Sequence, residues 1–122
     1  MKSHDDLSIH VRSENERQVF ELTGSLDIAT SPTVRAALIE ASERGDHTII
    51  ADLRQLEFID STGLGALIGA QRRAKEFHGD VRLVVNDGQI LRLLRITGLV
   101  RVFGAYHSVE DAIAENNRID DL

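Results

Sequence analysis

With 122 residues, no cysteine and a net charge of −6 from 14 Lys+Arg against 20 Asp+Glu, the chain fits one domain with a core of its own. Disulfides, thiolate metal sites and cysteine nucleophiles are excluded. The acidic balance disfavours nonspecific nucleic-acid binding and favours a basic partner surface, and an aromatic content of 4% leaves no base-stacking platform.

Residues 1–6 are polar and lack an apolar signal segment, and no apolar run approaches the ~20 residues of a membrane span, so a soluble cytoplasmic protein without membrane contact is expected. Residues 7–12 (Leu-Ser-Ile-His-Val-Arg) alternate apolar and polar, the mark of a strand with one buried face. Residues 13–17 form a polar turn and residues 18–23 a second strand, and so short a connection implies an antiparallel pair. His10 falls on the polar side of the alternation and reads as solvated. Gly24 is expected to break the second strand, leaving Asp27 in the connection, where its carboxylate can orient a loop. Ser31 is placed to cap a helix with Pro32 at its first position; Val34, Ala37, Leu38 and Ala41 recur at helical spacing, and Gly45 supplies the stop.

The third strand, residues 48–53 (Thr-Ile-Ile-Ala-Asp-Leu), is apolar at nearly successive positions, as suits a central strand covered on both faces. The turn Asp60-Ser61-Thr62-Gly63-Leu64-Gly65 then opens an amphipathic helix through Leu67, Ile68 and Gln71 that runs to about Phe77 and stops at Gly79. The first N–H groups of such a helix lack intrahelical partners, so Asp60 and Ser61 read as capping residues. The same end favours an added anion, so a phosphate on Ser61 or Thr62 also fits. Gly63, Gly65 and Gly69 each lower helix stability by roughly 1 kcal/mol relative to Ala, which points to something approaching the backbone closely. Arg72, Arg73, Lys75 and Glu76 form the solvated side.

Residues 81–85 make the fourth strand, and Asn86-Asp87-Gly88 the turn after it. Residues 89–97 read as a short helix with Ile90, Leu91 and Leu94 inward; Arg92 and Arg95 share one side, either to meet an acidic partner segment or simply to solvate it. Residues 100–103 (Val-Arg-Val-Phe) are expected as a short fifth strand. Ser108 and Asp111 give a capping-box-like start to a last helix carrying Val109, Ala112 and Ile113, and the polar tail from Asn116 is expected to fray. The order implies an α/β fold with a mixed β-sheet, an initial antiparallel hairpin followed by strand-helix crossovers, and about four helices. Residues 1–122 read as a single domain with its core at about 7–115 and polar tails at both ends.

The run Leu53-Arg-Gln-Leu-Glu-Phe-Ile-Asp-Ser-Thr-Gly-Leu-Gly65 resembles the signature of bacterial anti-sigma factor antagonists, single-domain members of the STAS group. Gly24-Ser-Leu-Asp27 is similar to that family's Gly-acidic-apolar-Asp segment, with Ser25 where an acidic residue is common, and Ile96-Thr-Gly-Leu99 is similar to its late helix ending. The resemblance covers about residues 7–113. It implies a STAS-like fold, Ser61 as the regulatory phosphorylation site, and partner binding through Asp27, Asp60, Ser61, Thr62, Gly63 and Leu64, with Asp27 an exposed carboxylate on the partner-facing side. The partners it implies are an anti-sigma factor that is also an ATP-dependent serine kinase and a serine phosphatase. The unphosphorylated chain would hold the former and so free a sigma factor for transcription. No cofactor, no direct nucleic-acid contact and a monomer or weak dimer are expected. The alternative is a scaffold or sensory STAS component of a larger signalling assembly, which particle size would separate.

Other chemistry finds little support. The histidines at 4, 10, 47, 78 and 107 include no pair at metal-ligand spacing on one helix, so no metal is assigned. Neither common glycine-rich nucleotide loop is present. Ser61 sits at a strand-to-helix turn as a hydrolase nucleophile does, but that elbow wants glycine two residues to either side, and here the positions are Ile59 and Gly63. Nothing in the sequence places His78 or His107 beside Ser61, and no enzymatic activity is expected.

Overall fold

The computed structural model describes residues 7–119; residues 1–6 and 120–122, which belong to the two expected polar tails, lie outside the described residues. Strands β1 (Leu7–Glu14) and β2 (Arg17–Leu26) form an antiparallel hairpin whose two-residue turn, Asn15-Glu16, takes φ of 49° and 66°. Positive φ at both positions lets so short a turn follow the twist of the strands it joins. The chain continues through α1 (Ser31–Glu43), β3 (Thr48–Ile59), α2 (Ser61–Glu76), β4 (Asp80–Val84), α3 (Gln89–Ile96), a 3-10 turn (Leu99–Arg101), β5 (Gly104–Tyr106) and α4 (Val109–Ala114). Strand order follows chain order, and each pair after the hairpin is parallel, because a helix carries the chain back before the next strand begins.

The two faces of the sheet are covered unequally. On one, Phe20, Leu22, Ile49, Ala51, Val81 and Leu83 pack with Val34 and Leu38 of α1, Leu67 and Ala70 of α2, and Leu91 and Leu94 of α3. On the other, Val19, Ile50, Val84 and Tyr106 meet Val109 and Ala112 of the single short helix α4. Two residues further along β2 and β3 the second face carries charge instead: Glu21 accepts Arg12 at 3.1 Å, and Asp52, buried, accepts Arg54 at 2.8 Å. Arg82, on the same face, donates to the Ala112 carbonyl at 2.7 Å and so ties the end of α4 to β4.

One polar side chain is built into the main core. Gln71 of α2, on the apolar side of its helix, accepts the Val81 N–H at 2.7 Å through Oε1 and donates through Nε2 to the Val81 and Val102 carbonyls at 3.2 and 3.0 Å. It joins α2 to β4 and to Val102, just past the 3-10 turn.

Four expectations are corrected. Gly24 does not end β2; it sits inside the strand at φ 107°, between two irregularities of register, and the strand continues to Leu26. β3 likewise runs to Ile59 rather than Leu53, because its upper half pairs with the prolonged β2. Residues 100–103 are not a strand: after Gly98 at φ 75° the chain makes a 3-10 turn that buries Val100 and Phe103, three residues apart, and β5 starts at Gly104. Nor does the tail fray from Asn116, since Ile119 is buried in the main core with its N–H on the Ala105 carbonyl at 2.8 Å. The apolar side chain and the open edge of β5 hold this segment together.

Candidate functional site: the turn into helix α2

Where β3 gives way to α2, Asp60 takes the extended N-cap conformation and its carboxylate accepts the Gly63 N–H at 2.9 Å. The cap is therefore Asp60 alone. The backbone of Asp60 also donates to the Leu26 carbonyl at 3.2 Å, which ties the turn to the end of β2. Gly63 presses on the same point, for a Cβ there would lie 2.5 Å from the Leu26 oxygen and 2.8 Å from the Leu26 side chain. The close approach that glycine signals at this position comes from the protein's own backbone. Leu64, 8% exposed, points into the main core. Gly63 and Leu64, expected among the partner-contacting residues, are thus turned inward and hold the turn in shape.

Ser61 and Thr62 are the first two residues of α2, and both are exposed. Among the described residues neither hydroxyl has a hydrogen-bond partner. A hydroxyl at the first helical position, with nothing to hold it and the positive end of a 16-residue helix behind it, is well placed to carry an anionic group.

Asp27 occupies a different position from the exposed one expected of it. It is 7% exposed, and its carboxylate accepts the N–H groups of Ala29 and Thr30 at 3.0 and 3.2 Å. Its own N–H donates to Thr30 Oγ1 at 2.9 Å, and that hydroxyl donates to the Ser25 carbonyl at 2.8 Å. This is the local side-chain-to-backbone turn that Asp favours. Ser31 is correspondingly the first helical residue, with Thr30 at the N-cap. The closed loop leaves Ile28 74% exposed, two residues after Leu26, whose carbonyl binds the Asp60 turn. Sequence reasoning passed over Ile28 because a single apolar residue in a connection is ordinary.

Phe58, half exposed, lies on the β3 side of the turn, at the mouth of a cavity of about 450 Å³ that Leu56, Ile90 and Leu93 also line. Arg92 and Arg95 are exposed on α3. His107 is held by Asp87 at 2.9 Å, and His78 lies beyond the far end of α2, so neither attends Ser61. Among the described residues no group of three or more His, Cys, Asp or Glu is placed to hold a metal, and no helix is long and apolar enough to cross a membrane.

Residues 8–112 match the family model of the STAS domain. The chain is 30% identical over 112 residues to the anti-sigma F factor antagonist of Paenibacillus polymyxa, covering 89% of this chain and 96% of that protein. Its fold is similar to that of an anti-sigma factor antagonist from Mycobacterium paratuberculosis, with a TM-score of 0.83 at 23% identity over 94% of this chain and 97% of that one. It is also similar to the Bacillus protein SpoIIAA in its phosphorylated form, with a TM-score of 0.68 at 25% identity over 88% and 98% of the two chains. A mixed sheet of this order with a capped turn at its centre is a STAS domain, and the chain belongs to that family. Within it, the chain is a member of the anti-sigma factor antagonist group.

Proposed function

We propose that the chain is a phosphorylation-switched antagonist that binds an anti-sigma factor when Ser61 is unmodified and releases it when Ser61 carries phosphate. The observation that carries this reading is the Ser61 hydroxyl itself, exposed and without a partner among the described residues, one residue past the Asp60 cap. The docking surface consists of Ser61 and Thr62, the exposed side of Asp60, and the neighbouring Ile28, with Asp27 acting through the loop it closes. The anti-sigma factor is itself the ATP-dependent serine kinase, and a serine phosphatase restores the binding form. The chain acts as a monomer or weak dimer and turns over no substrate of its own.

Phosphate adds about −1.5 to −2 charge. At the start of α2 that charge is welcome to the helix, so the fold stays intact and the effect falls on the partner. A like charge brought to ~4 Å at an effective dielectric of ~20 costs about 4 kcal/mol, and each 1.4 kcal/mol is roughly tenfold in affinity. Release therefore follows from charge at one exposed atom.

The test is to incubate the protein with ATP and each candidate serine kinase of its genome, then map the phosphosite by mass spectrometry. Transfer to Ser61 supports the reading. Transfer to Thr62, or to neither, contradicts it.

A further inference from the structure

The two edges of the sheet end differently. Beside β5 runs the last described segment of the chain, with the Ile119 N–H on the Ala105 carbonyl at 2.8 Å. Beside β1, among the described residues, there is nothing on the outer side. The two-residue turn Asn15-Glu16 makes Glu14 and Arg17 a hydrogen-bonded pair. Along β1, therefore, Ser8, His10, Arg12 and Glu14 turn their N–H and C=O groups to β2, while Leu7, Ile9, Val11 and Ser13 turn theirs outward. The common guards of an edge strand are missing: β1 has no proline, no lysine and no break in register, and its arginine is taken up by Glu14 and Glu21. On the main-core face, the outward residues leave Val11 46% exposed beside a partly buried Ile9.

We propose that this edge is the interface of a two-fold homodimer, in which β1 of a second copy pairs antiparallel with β1 about an axis at His10 and joins the two sheets into one. The strand is complementary to itself in that register. Leu7 stands opposite Ser13 of the partner subunit and Ile9 opposite Val11 of the partner subunit, so every outward N–H and C=O of these residues is paired and the half-exposed apolar side chains cover each other on both sides of the axis. On the other face Arg12 meets Ser8 of the partner subunit, and no carboxylate opposes another. An axis at Val11 would set Leu7 against the turn, and an axis at Ile9 would carry Ser13 past the start of the strand. Because β2 separates β1 from β3, the Ser61 turn stays open in the dimer, and pairing does not depend on the state of Ser61.

Sedimentation of the full chain from roughly 1 µM to roughly 1 mM should show a monomer–dimer equilibrium, since a single strand pair belongs with the small, weak interfaces. Val11→Pro removes an N–H that only the dimer uses, a change an edge strand tolerates. His10→Lys sets two like charges against each other on the axis, and His10 is exposed, so the fold should be unaffected. Each variant should weaken dimerisation at least tenfold; should Val11→Pro fail to fold, His10→Lys decides. The chain has no cysteine, so single cysteines report the register. Residues opposed on the axis stand about 4.5 Å apart at Cα, within disulfide reach. Under mild oxidation His10→Cys should form a covalent dimer at least tenfold faster than Val11→Cys, whose counterpart is displaced along the strand. A wild-type chain that stays monomeric throughout overturns the proposal. So does a dimer that His10→Lys leaves intact, or cross-linking that is equal in the two cysteine variants or faster for Val11→Cys.

Discussion

The carbonyl oxygen of Leu26 lies 2.5 Å from where a side chain on Gly63 would begin, so the loop after β2 and the first turn of α2 are held at backbone contact. Alanine at Gly63 would add about 1 kcal/mol of helix propensity. Overpacking costs about 1–3 kcal/mol, and the upper part of that range applies where the obstacle is a backbone atom that cannot rotate away. Gly63→Ala is therefore expected to melt below wild type. Thermal unfolding checks this, and an unchanged or higher Tm would mean that the contact relaxes freely.

Asp27 is expected to matter for folding. Removing its carboxylate takes the partner from the Ala29 N–H, while the Thr30 N–H keeps the Asp27 carbonyl at 3.2 Å, a loss of about 0.5–1.5 kcal/mol as for one intramolecular hydrogen bond. Asp27→Asn keeps an acceptor oxygen in place and should recover most of that. Denaturant titration of both variants measures the difference; full stability of Asp27→Ala would return the residue to a purely partner-facing role.

Gln71 is expected to be among the least replaceable polar residues. Leucine in its place fills the space but leaves the Val81 N–H and the Val102 carbonyl without the partners they have now, about 1–3 kcal/mol for the buried Val81 N–H alone. Gln71→Leu should lower the urea midpoint with little change in slope. A midpoint equal to wild type would show that water replaces the side chain.

Tyr106 gives a pH signature. Burial raises its hydroxyl pKa above the ordinary 10.0, so above that value the folded chain holds a proton that the unfolded chain has begun to release. The stability it contributes is present below pH 10 and is lost as pH rises through the folded-state pKa. It is the one tyrosine of the sequence, so ultraviolet titration reports it directly. The Tyr106→Phe chain should lack this part of the alkaline decline; an ordinary titration midpoint would contradict the burial effect.

Much of this architecture was legible because short-range pattern and tertiary structure agree. Val34, Leu38 and Ala41 repeat at the helical period and all are buried, and Ser108 caps α4 through Asp111 as their spacing suggests. The misreadings lie where long-range pairing decides. Gly24 looks like a strand end until β3 is seen to pair beside it, and Val100 and Phe103 suit a strand or a 3-10 turn equally. At the site, Ser61 and Asp60 could be found from the motif and from helix-end chemistry. The burial of Asp27 and the exposure of Ile28 could not, because both depend on a loop closed by Thr30.

The central claim is that negative charge at Ser61, and nothing else about the residue, controls binding. Because Asp60 supplies the cap and Ser61 Oγ holds no partner among the described residues, Ser61→Ala and Ser61→Asp should both fold as wild type does. Calorimetric titration of the two variants against the anti-sigma kinase separates them. Ser61→Ala is expected to hold the partner even with ATP present, and Ser61→Asp to bind at least tenfold more weakly, a difference of about 1.4 kcal/mol or more. Equal affinities in two well-folded variants would contradict the account.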